Sequence, residues 1–317
     1  MHNYFMDMNL RRLRILREVA LEGGVTSAAE AMQYSASGVS QQVAALEREI
    51  GAPVLEKQGR GVRLTDVGRV LVEHAEILLA AEQEACAAVE AARDTLAVDL
   101  KVGVFCTMSA NLMPLILKDL DERHPAVRIL TQEVNPDEAA GALRRGHLDL
   151  SFILEYPDAP EPWSPGLTFT PLGMDRLHLA APSGWFHQSD IDIADLAEVD
   201  WVMSGTRNYY GRALRRACRE AGFEPRVVHD VDEQPTALAM VGAGLGVTLV
   251  SDLGRSFLPA AGVEVLGITQ SIRRQVLVAH SQATNVRPAV SAFLASAQRA
   301  WAVAGLPRPD RPRGKAE

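Results

Sequence analysis

The stretch S-A-S-G-V-S-Q-Q-V-A-A-L-E-R-E-I-G, residues 35–51, decides how the N-terminal part of the chain folds. Ser35 is a favourable helix N-cap and Gly51 a favourable C-terminal stop, so the spacing predicts one helix between them. Its apolar residues recur at helical spacing and form a core stripe: Val39, Val43, Leu46 and Ile50. The opposite face carries mostly short or amide side chains, namely Ser37, Gln41, Ala44 and Arg48, with Ser40 at its edge. Such a face suits a DNA major groove.

Two helices are predicted before this stretch. Residues 10–21 form an amphipathic pattern that Gly23 and Gly24 end, and Thr26 is the expected cap of a short Ala-rich helix over residues 27–32. The short helix and the helix over 35–51 are joined by a tight turn. This spacing is typical of a helix-turn-helix.

A small hairpin, or wing, is predicted after the third helix. Short apolar pairs flank the polar segment K-Q-G-R-G at residues 57–61. The net charge of −8 argues against a surface that coats nucleic acid throughout. Any DNA contact is therefore expected from residues 1–65, where basic side chains cluster in the first helix and in the wing.

From residue 66 to about 95 the sequence predicts one long amphipathic helix. Its apolar stripe comprises Val67, Val70, Leu71, His74, Ile77, Leu78, Ala81, Ala85, Ala88, Val89 and Ala92. No neighbouring segment offers a partner, so we expect it to pair with a copy of itself in a homodimer. The alternative is packing against the C-terminal half of the same chain, since periodicity does not name a partner.

The rest of the chain alternates strands and helices twice, which predicts parallel α/β sheets. The first alternation covers residues 100–154 and the second covers 201–250. A Pro-rich connection and an extended stretch over 167–181 separate them, and a strand over 276–279 and a helix over 286–302 follow. Residues 305–317 are predicted to be a disordered tail.

Several classes of function lack support in the sequence. Three cysteines are too few for a disulfide framework or a zinc site, and no apolar run is long enough for a membrane span. The N-terminus lacks a secretory pattern, so we expect a cytoplasmic protein. The glycines of residues 242–246 follow a helix and precede a strand, the reverse of a dinucleotide-binding loop. With no catalytic constellation either, we expect neither an enzyme nor a cofactor.

Residues 10–68 resemble the winged helix-turn-helix of LysR-type transcriptional regulators. The matching motifs are T-S-A-A-E at 26–30, V-S-Q-Q-V at 39–43, L-E-R-E-I-G at 46–51 and L-T-D-V-G at 64–68. The chain length, the long helix and the two α/β halves are similar to that family as well. A solute-binding protein or a nucleotide-dependent enzyme is the rival from another class, but neither accounts for residues 10–68.

The resemblance implies an α+β multidomain protein. It would have a winged helix-turn-helix DNA-binding domain at 8–65, a linker and dimerisation helix at 66–96, and an effector-binding domain at 97–304. The last resembles periplasmic binding proteins, with subdomain I at about 97–171 and 275–302 and subdomain II at about 172–274. The implied partners are double-stranded promoter DNA, a small-molecule effector, a second chain in a homodimer that assembles to a homotetramer, and RNA polymerase.

By the same resemblance, the third helix enters the major groove and Ser37, Ser40 and Gln41 read bases. Arg60 of the wing would reach the minor groove, and two further residues, Thr26 and Lys57, would hold phosphates. The sequence departs from the family pattern at Ala36, where glutamine is common, and at Gln41, where arginine is frequent. Both changes reduce direct hydrogen bonding, so Arg60 and DNA shape should carry a large share of specificity. The alternative is that the two serines only solvate the helix.

For the effector, the resemblance implies a cleft between the subdomains, at the carboxyl ends of strands. The candidates for binding it are Thr107, Ser109, Asn135, Ser204, Thr206 and Thr248. Ser109, Thr206 and Thr248 could equally be cap or turn residues. A small carboxylate is a plausible effector because Arg207, Arg212 and Arg215 lie near the second wall.

A thiol-based redox sensor of the same fold is the remaining alternative. Cys106 would lie at the ligand wall and Cys218 on a helix of the other subdomain. A disulfide needs their Cα atoms within about 7 Å, and we expect them to lie further apart.

Overall fold

The computed structural model describes residues 8–59, 61–92, 98–157, 166–206, 208–259, 261–282 and 287–307. It divides into two compact units, Met1–Val89 and Glu90–Glu317. The predicted wing residue Arg60, the cleft residue Arg207 and the tail residues 308–317 lie outside the described residues.

The first unit consists of four helices and a two-stranded hairpin. In chain order the elements are α1 (Leu10–Leu21), α2 (Val25–Ala31), α3 (Ala36–Ile50), β1 (Leu55–Gln58), β2 (Gly61–Leu64) and α4 (Asp66–Ala92). Strands β1 and β2 pair antiparallel. The predicted helix-turn-helix and wing are therefore confirmed.

The ends of α3 follow the local signals. Ser35 Oγ accepts a hydrogen bond from the Gly38 N–H at 3.1 Å, and Gly51 adopts a left-handed φ of 73°. Thr26 differs from the expectation: α2 begins at Val25 with Gly24 in the cap position, so Thr26 lies inside the first turn. Helical geometry extends back that far because the Ala28 N–H already bonds the Gly24 carbonyl at 3.1 Å.

Two of the sequence motifs fasten the wing to the helices. Glu47 accepts hydrogen bonds from the N–H groups of Val54 (2.9 Å) and Leu55 (3.3 Å). Thr65 Oγ1 donates to the Pro53 carbonyl at 2.7 Å and accepts from the Gly68 N–H at 3.0 Å. A Cβ atom at Gly68 would overlap the Val54 carbonyl oxygen, so this close approach of α4 requires glycine.

Helix α4 has two apolar faces rather than the single stripe expected. Leu71, Ala75 and Leu79 are buried, and the first two belong to the core of the first unit. Val70 and Ile77 are 54% and 62% exposed. Other exposed apolar residues of the helix are Val67, Leu78 and Val89.

The second unit contains the remaining elements. In chain order they are β3 (Val98–Val104), α5 (Cys106–Asn111), α6 (Met113–Arg123), β4 (Val127–Glu133), α7 (Pro136–Arg144), β5 (Leu150–Glu155), β6 (Leu167–Pro182), β7 (Asp190–Ile191), β8 (Asp200–Met203), α8 (Tyr209–Glu220), β9 (Arg226–Asp230), α9 (Gln234–Gly242), β10 (Thr248–Ser251), β11 (Val263–Ile268), β12 (Arg273–Ser281) and α10 (Pro288–Val303).

Its main sheet has the order β4-β3-β5-β12-β6-β11-β7, and β10 also pairs with β6. The sheet is mixed, but the strands of the two predicted alternations pair in parallel as expected, β3 with β4 and β5 and, in a separate two-stranded sheet, β8 with β9. Strand β3 is parallel to β4 and β5, whereas β12 is antiparallel to β5 and β6. Strand β6 is 16 residues long; its first part pairs with β12 and its last part with β10 and β11. It therefore connects the two α/β halves.

Residues 305–307, expected to belong to the disordered tail, are part of the second unit. The Pro307 carbonyl accepts hydrogen bonds from Trp301 Nε1 at 2.9 Å and from the Met174 N–H at 3.1 Å. Leu306 packs against the main core. Residues 305–307 are therefore ordered parts of the unit, because they cover the edge of Trp301.

Candidate nucleic-acid interface and effector cavity

Helix α3 presents a polar face. Ser37, Ser40 and Gln41 are all exposed, as the sequence predicts. Val39 and Leu46, on the opposite face, are fully buried in the core of the first unit. Because Val39 and Leu46 hold one face of α3 in the core, the face with Ser37, Ser40 and Gln41 is the one available to a DNA groove.

The other predicted DNA contacts lie on neighbouring elements. Thr26 is exposed in α2, and Lys57 is exposed in β1. Arg60, the expected minor-groove residue, lies outside the described residues.

The arginines of α1 largely hold the first unit together. Arg12 pairs with Glu49, and its Nε donates to Gln42 at 3.3 Å. Arg14 pairs with Glu82 of α4 at 2.7 Å. Arg17 is almost fully buried, and it pairs with the adjacent Glu18 at 3.1 Å and with Glu76 of α4 at 3.7 Å. The basic cluster that the sequence assigned to DNA is thus mostly structural.

In the second unit, a cavity of about 160 Å³ lies where the carboxyl ends of β3, β5 and β8 meet the starts of α7, α8 and α9. Four predicted effector residues line it: Thr107, Asn135, Ser204 and Thr248. Four aromatic side chains also line it: Phe105, Tyr156, Tyr209 and Tyr210. A cavity of this size holds a molecule about as large as benzene.

The other two predicted residues, Ser109 and Thr206, are exposed and do not line the cavity. Helix α5 begins at Cys106, so Thr107 and Ser109 lie on nearly opposite faces and only Thr107 is turned inward. The Thr206 carbonyl accepts a bond from Arg212 Nη1 at 3.3 Å, on the outer side of the loop before α8.

The inner wall of the cavity is built around a buried ion pair. Asp175 and Arg274 are 0% and 5% exposed; Asp175 Oδ2 accepts a hydrogen bond from Arg274 Nε at 2.9 Å and lies 2.8 Å from Arg274 Nη2 in the ion pair. Arg274 Nη2 also donates to Ser251 Oγ at 2.9 Å and to Thr107 Oγ1 at 3.4 Å. Burial opposes the charged guanidinium, but the Asp175 carboxylate outweighs it and raises the pKa of Arg274.

Sequence reasoning missed this pair, which joins residues 99 positions apart. One signal was available: Asp175 is a lone carboxylate within the extended apolar stretch of residues 167–181. A charge in such a stretch needs a buried partner.

The cavity also carries four carboxylates, at Glu133, Asp137, Asp232 and Glu233. Asp137 Oδ2 accepts from the Tyr209 N–H at 2.9 Å, and Asp232 Oδ1 accepts from Asn208 Nδ2 at 2.8 Å. These two contacts connect α7 and the loop after β9 with the start of α8. The carboxylates were not predicted from the sequence.

All three cysteines are free thiols. Cys106 lines the cavity; burial, reinforced by the nearby carboxylates of Glu233 and Glu133, raises its pKa to about 11. Burial raises the pKa of Cys218 to about 12. Both thiols are therefore almost entirely protonated near neutral pH.

Among the described residues, no helix combines the length and the apolar composition of a membrane span. In the same part of the chain, no three His, Cys, Asp or Glu side chains cluster as a metal site would require.

A winged helix-turn-helix, a long helix and a two-part α/β unit with a polar cavity together define a DNA-binding regulator that carries a ligand-binding domain. The chain belongs to the LysR family: the description "Bacterial regulatory helix-turn-helix protein, lysR family" matches residues 10–69, and "LysR substrate binding domain" matches residues 93–302. It is thus a transcriptional regulator with an effector-binding domain and not an enzyme.

Relatives and solved structures agree with this assignment. The chain is 30% identical to the HTH-type transcriptional regulator TfdS of Cupriavidus pinatubonensis over 77% of this chain and 82% of that protein. It is 28% identical to the regulator ShiR of Corynebacterium glutamicum over 77% of this chain and 83% of that protein. A full-length OxyR variant from Pseudomonas aeruginosa is similar in fold, with a TM-score of 0.61, 22% identity and coverage of 92% of this chain and 98% of that one.

Proposed function

We propose that this regulator binds promoter DNA through α3 and that a small molecule in the cavity controls the binding. The observation that carries the proposal is the 160 Å³ cavity, lined by Thr107, Asn135, Ser204 and Thr248. A preformed cavity in which polar groups converge between apolar and aromatic side chains is the usual form of a ligand site.

In this proposal Ser37, Ser40 and Gln41 read base edges in the major groove. Gln41 can bond adenine through two hydrogen bonds, which contributes about 1–3 kcal/mol of discrimination. Thr26 and Lys57 hold phosphates, and Arg60 reaches the minor groove. Since Ala36 and Ala44 offer no hydrogen bonds, DNA shape supplies a large part of the specificity.

Replacement of Gln41 by alanine tests base reading. We expect Q41A to weaken operator binding about tenfold and binding to random DNA hardly at all. Gln42 gives the matched control, because its side chain is engaged with Arg12 at 3.3 Å. Equal losses of Q41A on operator and random DNA, measured by fluorescence anisotropy, would contradict base reading.

The proposal includes a homodimer formed through α4. The exposed apolar residues of that helix, with Val70 and Ile77 at 54% and 62% exposure, support it. We further propose that two such dimers assemble to a homotetramer and that the regulator contacts RNA polymerase. Ligand binding would change the angle between subunits and hence the bend of the bound DNA.

Thr107 is the residue by which the effector role is tested. A T107V variant retains the shape of the side chain but loses the hydroxyl, and we expect it to lose the effector response while operator affinity without effector is unchanged. Ser109→Ala is the control, since Ser109 lies on the same helix outside the cavity. An unchanged response in T107V would remove that residue from the site.

Two expectations from the sequence receive less support. The sequence favours a carboxylate effector because Arg207, Arg212 and Arg215 are expected near the cavity wall. Arg212 and Arg215 do not line the cavity, so they do not support an anionic ligand. A redox sensor needs a reactive thiolate, whereas the pKa values of Cys106 and Cys218 are both raised. A peroxide-induced Cys106–Cys218 link that alters promoter binding would favour the redox alternative.

A further inference from the structure

We infer that the effector is a small organic cation, a protonated amine with an apolar body of about benzene size. The inference rests on the proposed function, because it assigns a chemical class to the ligand of the same cavity.

The charges of the lining support a cation. The described lining residues include four carboxylates, at Glu133, Asp137, Asp232 and Glu233, and a single cationic side chain, that of Arg274. Arg274 is already neutralised by Asp175 at 2.8 Å. An anion would therefore meet an excess of negative charge, whereas an ammonium group would be attracted.

Two of these carboxylates, Glu133 and Glu233, line the cavity together with Cys106. Both act electrostatically on the Cys106 thiol and help to raise its pKa. Glu133, Asp232 and Glu233 form no ion pair with another described residue. An ammonium group near Cys106 would therefore be attracted by both Glu133 and Glu233.

Tyr156 closes the inner end of the cavity. It is only 4% exposed and lines the cavity beside Arg274. Its hydroxyl has no hydrogen bond of ordinary geometry within the described part of the chain, and the oxygen itself is not open to the cavity. A ligand would therefore contact other atoms of this side chain, which add aromatic surface to the wall.

The remaining walls suit the body of such a molecule. Phe105, Tyr209 and Tyr210 provide aromatic surface. Aromatic rings bind both apolar groups and cations, the latter through the negative face of the ring. The volume of about 160 Å³ limits the ligand to roughly the size of benzene with one or two substituents.

A matched charge series tests the inference on the full-length protein. Benzylamine, benzyl alcohol and benzoate share one ring and differ in charge, and their affinities are measured by isothermal titration calorimetry. We expect benzylamine to bind about tenfold more tightly than benzoate, and its affinity to fall as NaCl rises from about 0.05 to about 0.5 M. Benzyl alcohol should be insensitive to salt.

Variants connect the selectivity to the carboxylates. E133Q and E233Q should each weaken benzylamine about three- to fivefold and leave benzyl alcohol unchanged. Glu138→Gln, an exposed position in α7 outside the cavity, should have no effect on either compound. Equal weakening of amine and alcohol, or no weakening of the amine, would overturn the inference.

The outcomes separate this inference from the proposed function. If benzoate binds as tightly as benzylamine and T107V weakens its binding, the inference of a cationic effector is wrong. The same result would support the cavity as the effector site. No binding by any of the three compounds up to about 10 mM would overturn the inference alone. The T107V test of the effector response does not depend on these probes.

Discussion

Replacement of Asp175 by asparagine would leave the buried Arg274 without its counter-charge. Asp175 Oδ2 accepts a hydrogen bond from Arg274 Nε at 2.9 Å and lies 2.8 Å from Arg274 Nη2, and its Oδ1 accepts from the Leu253 N–H at 3.2 Å. An asparagine can preserve the bond to Leu253, but its amide N–H₂ group then faces the donors of Arg274. In D175N, Arg274 therefore loses both its counter-charge and its hydrogen-bond acceptor.

The size of the effect follows from the burial. Removing one partner of a buried ion pair costs about 3–5 kcal/mol, because the other charge stays buried. With a urea m-value of about 2–3 kcal/mol per M, the unfolding midpoint should fall by about 1–2 M. Replacing both partners, as D175N with R274M, should recover most of that loss because no unpaired charge remains.

The assay is urea unfolding followed by tryptophan fluorescence. The four tryptophans of the sequence all belong to the second unit, at positions 163, 185, 201 and 301, so the signal reports that unit alone. Asp99→Asn is the control, because Asp99 pairs with Arg128 on the surface and should leave the midpoint unchanged. If D175N matches D99N, or if the double variant is as unstable as D175N, the reasoning about an uncompensated charge is wrong.

Three further predictions concern other parts of the molecule. Gly68→Ala should destabilise the first unit by about 1–3 kcal/mol, since its Cβ overlaps the Val54 carbonyl, and faster hydrogen exchange in α1 to α3 would show it. Because the pKa of Cys106 is about 11, only about one thiol in 3,000 is a thiolate at about pH 7.5. Alkylation of Cys106 should therefore be far slower in the native chain than in the urea-unfolded chain, and equal rates would contradict this. Burial lowers the pKa of His280, so the folded state binds fewer protons and stability should fall as pH drops below about 6.5, by at most about 1.4 kcal/mol per pH unit. His280→Gln should flatten that slope, and an unchanged slope would refute the assignment.

Local signals in the sequence predicted much of the fold. Helix α3 begins and ends where Ser35 and Gly51 indicate. Helix α5 was missed as a separate helix. The preceding Phe105 provides no side-chain cap, and the six residues of α5 are too few for a periodic pattern.

Features that depend on distant residues could not be predicted. The apolar residues of α4 divide into a face buried in its own unit and an exposed face, and one periodicity cannot distinguish them. The cavity unites residues from Phe105 to Arg274, and its four carboxylates come from the ends of separate elements. The position of Thr107 in the cavity wall could be predicted because it follows the end of a strand, but the pairing of Asp175 with Arg274 required the strand order.

The two ion pairs between α1 and α4 have a mechanical consequence. Arg17 and Arg14 pair with Glu76 and Glu82 of α4, and Leu71 and Ala75 of that helix pack in the core of the first unit, so the part of α4 from Asp66 to Glu82, about 24 Å long, is attached to α1. A rotation of about 10° applied at its far end displaces the near end by about 4 Å. That distance exceeds the length of the hydrogen bonds through which Gln41 would read a base. If Gln41 reads a base as proposed, a movement of this size at the end of α4 would be enough to bring α3 into register with DNA or to take it out.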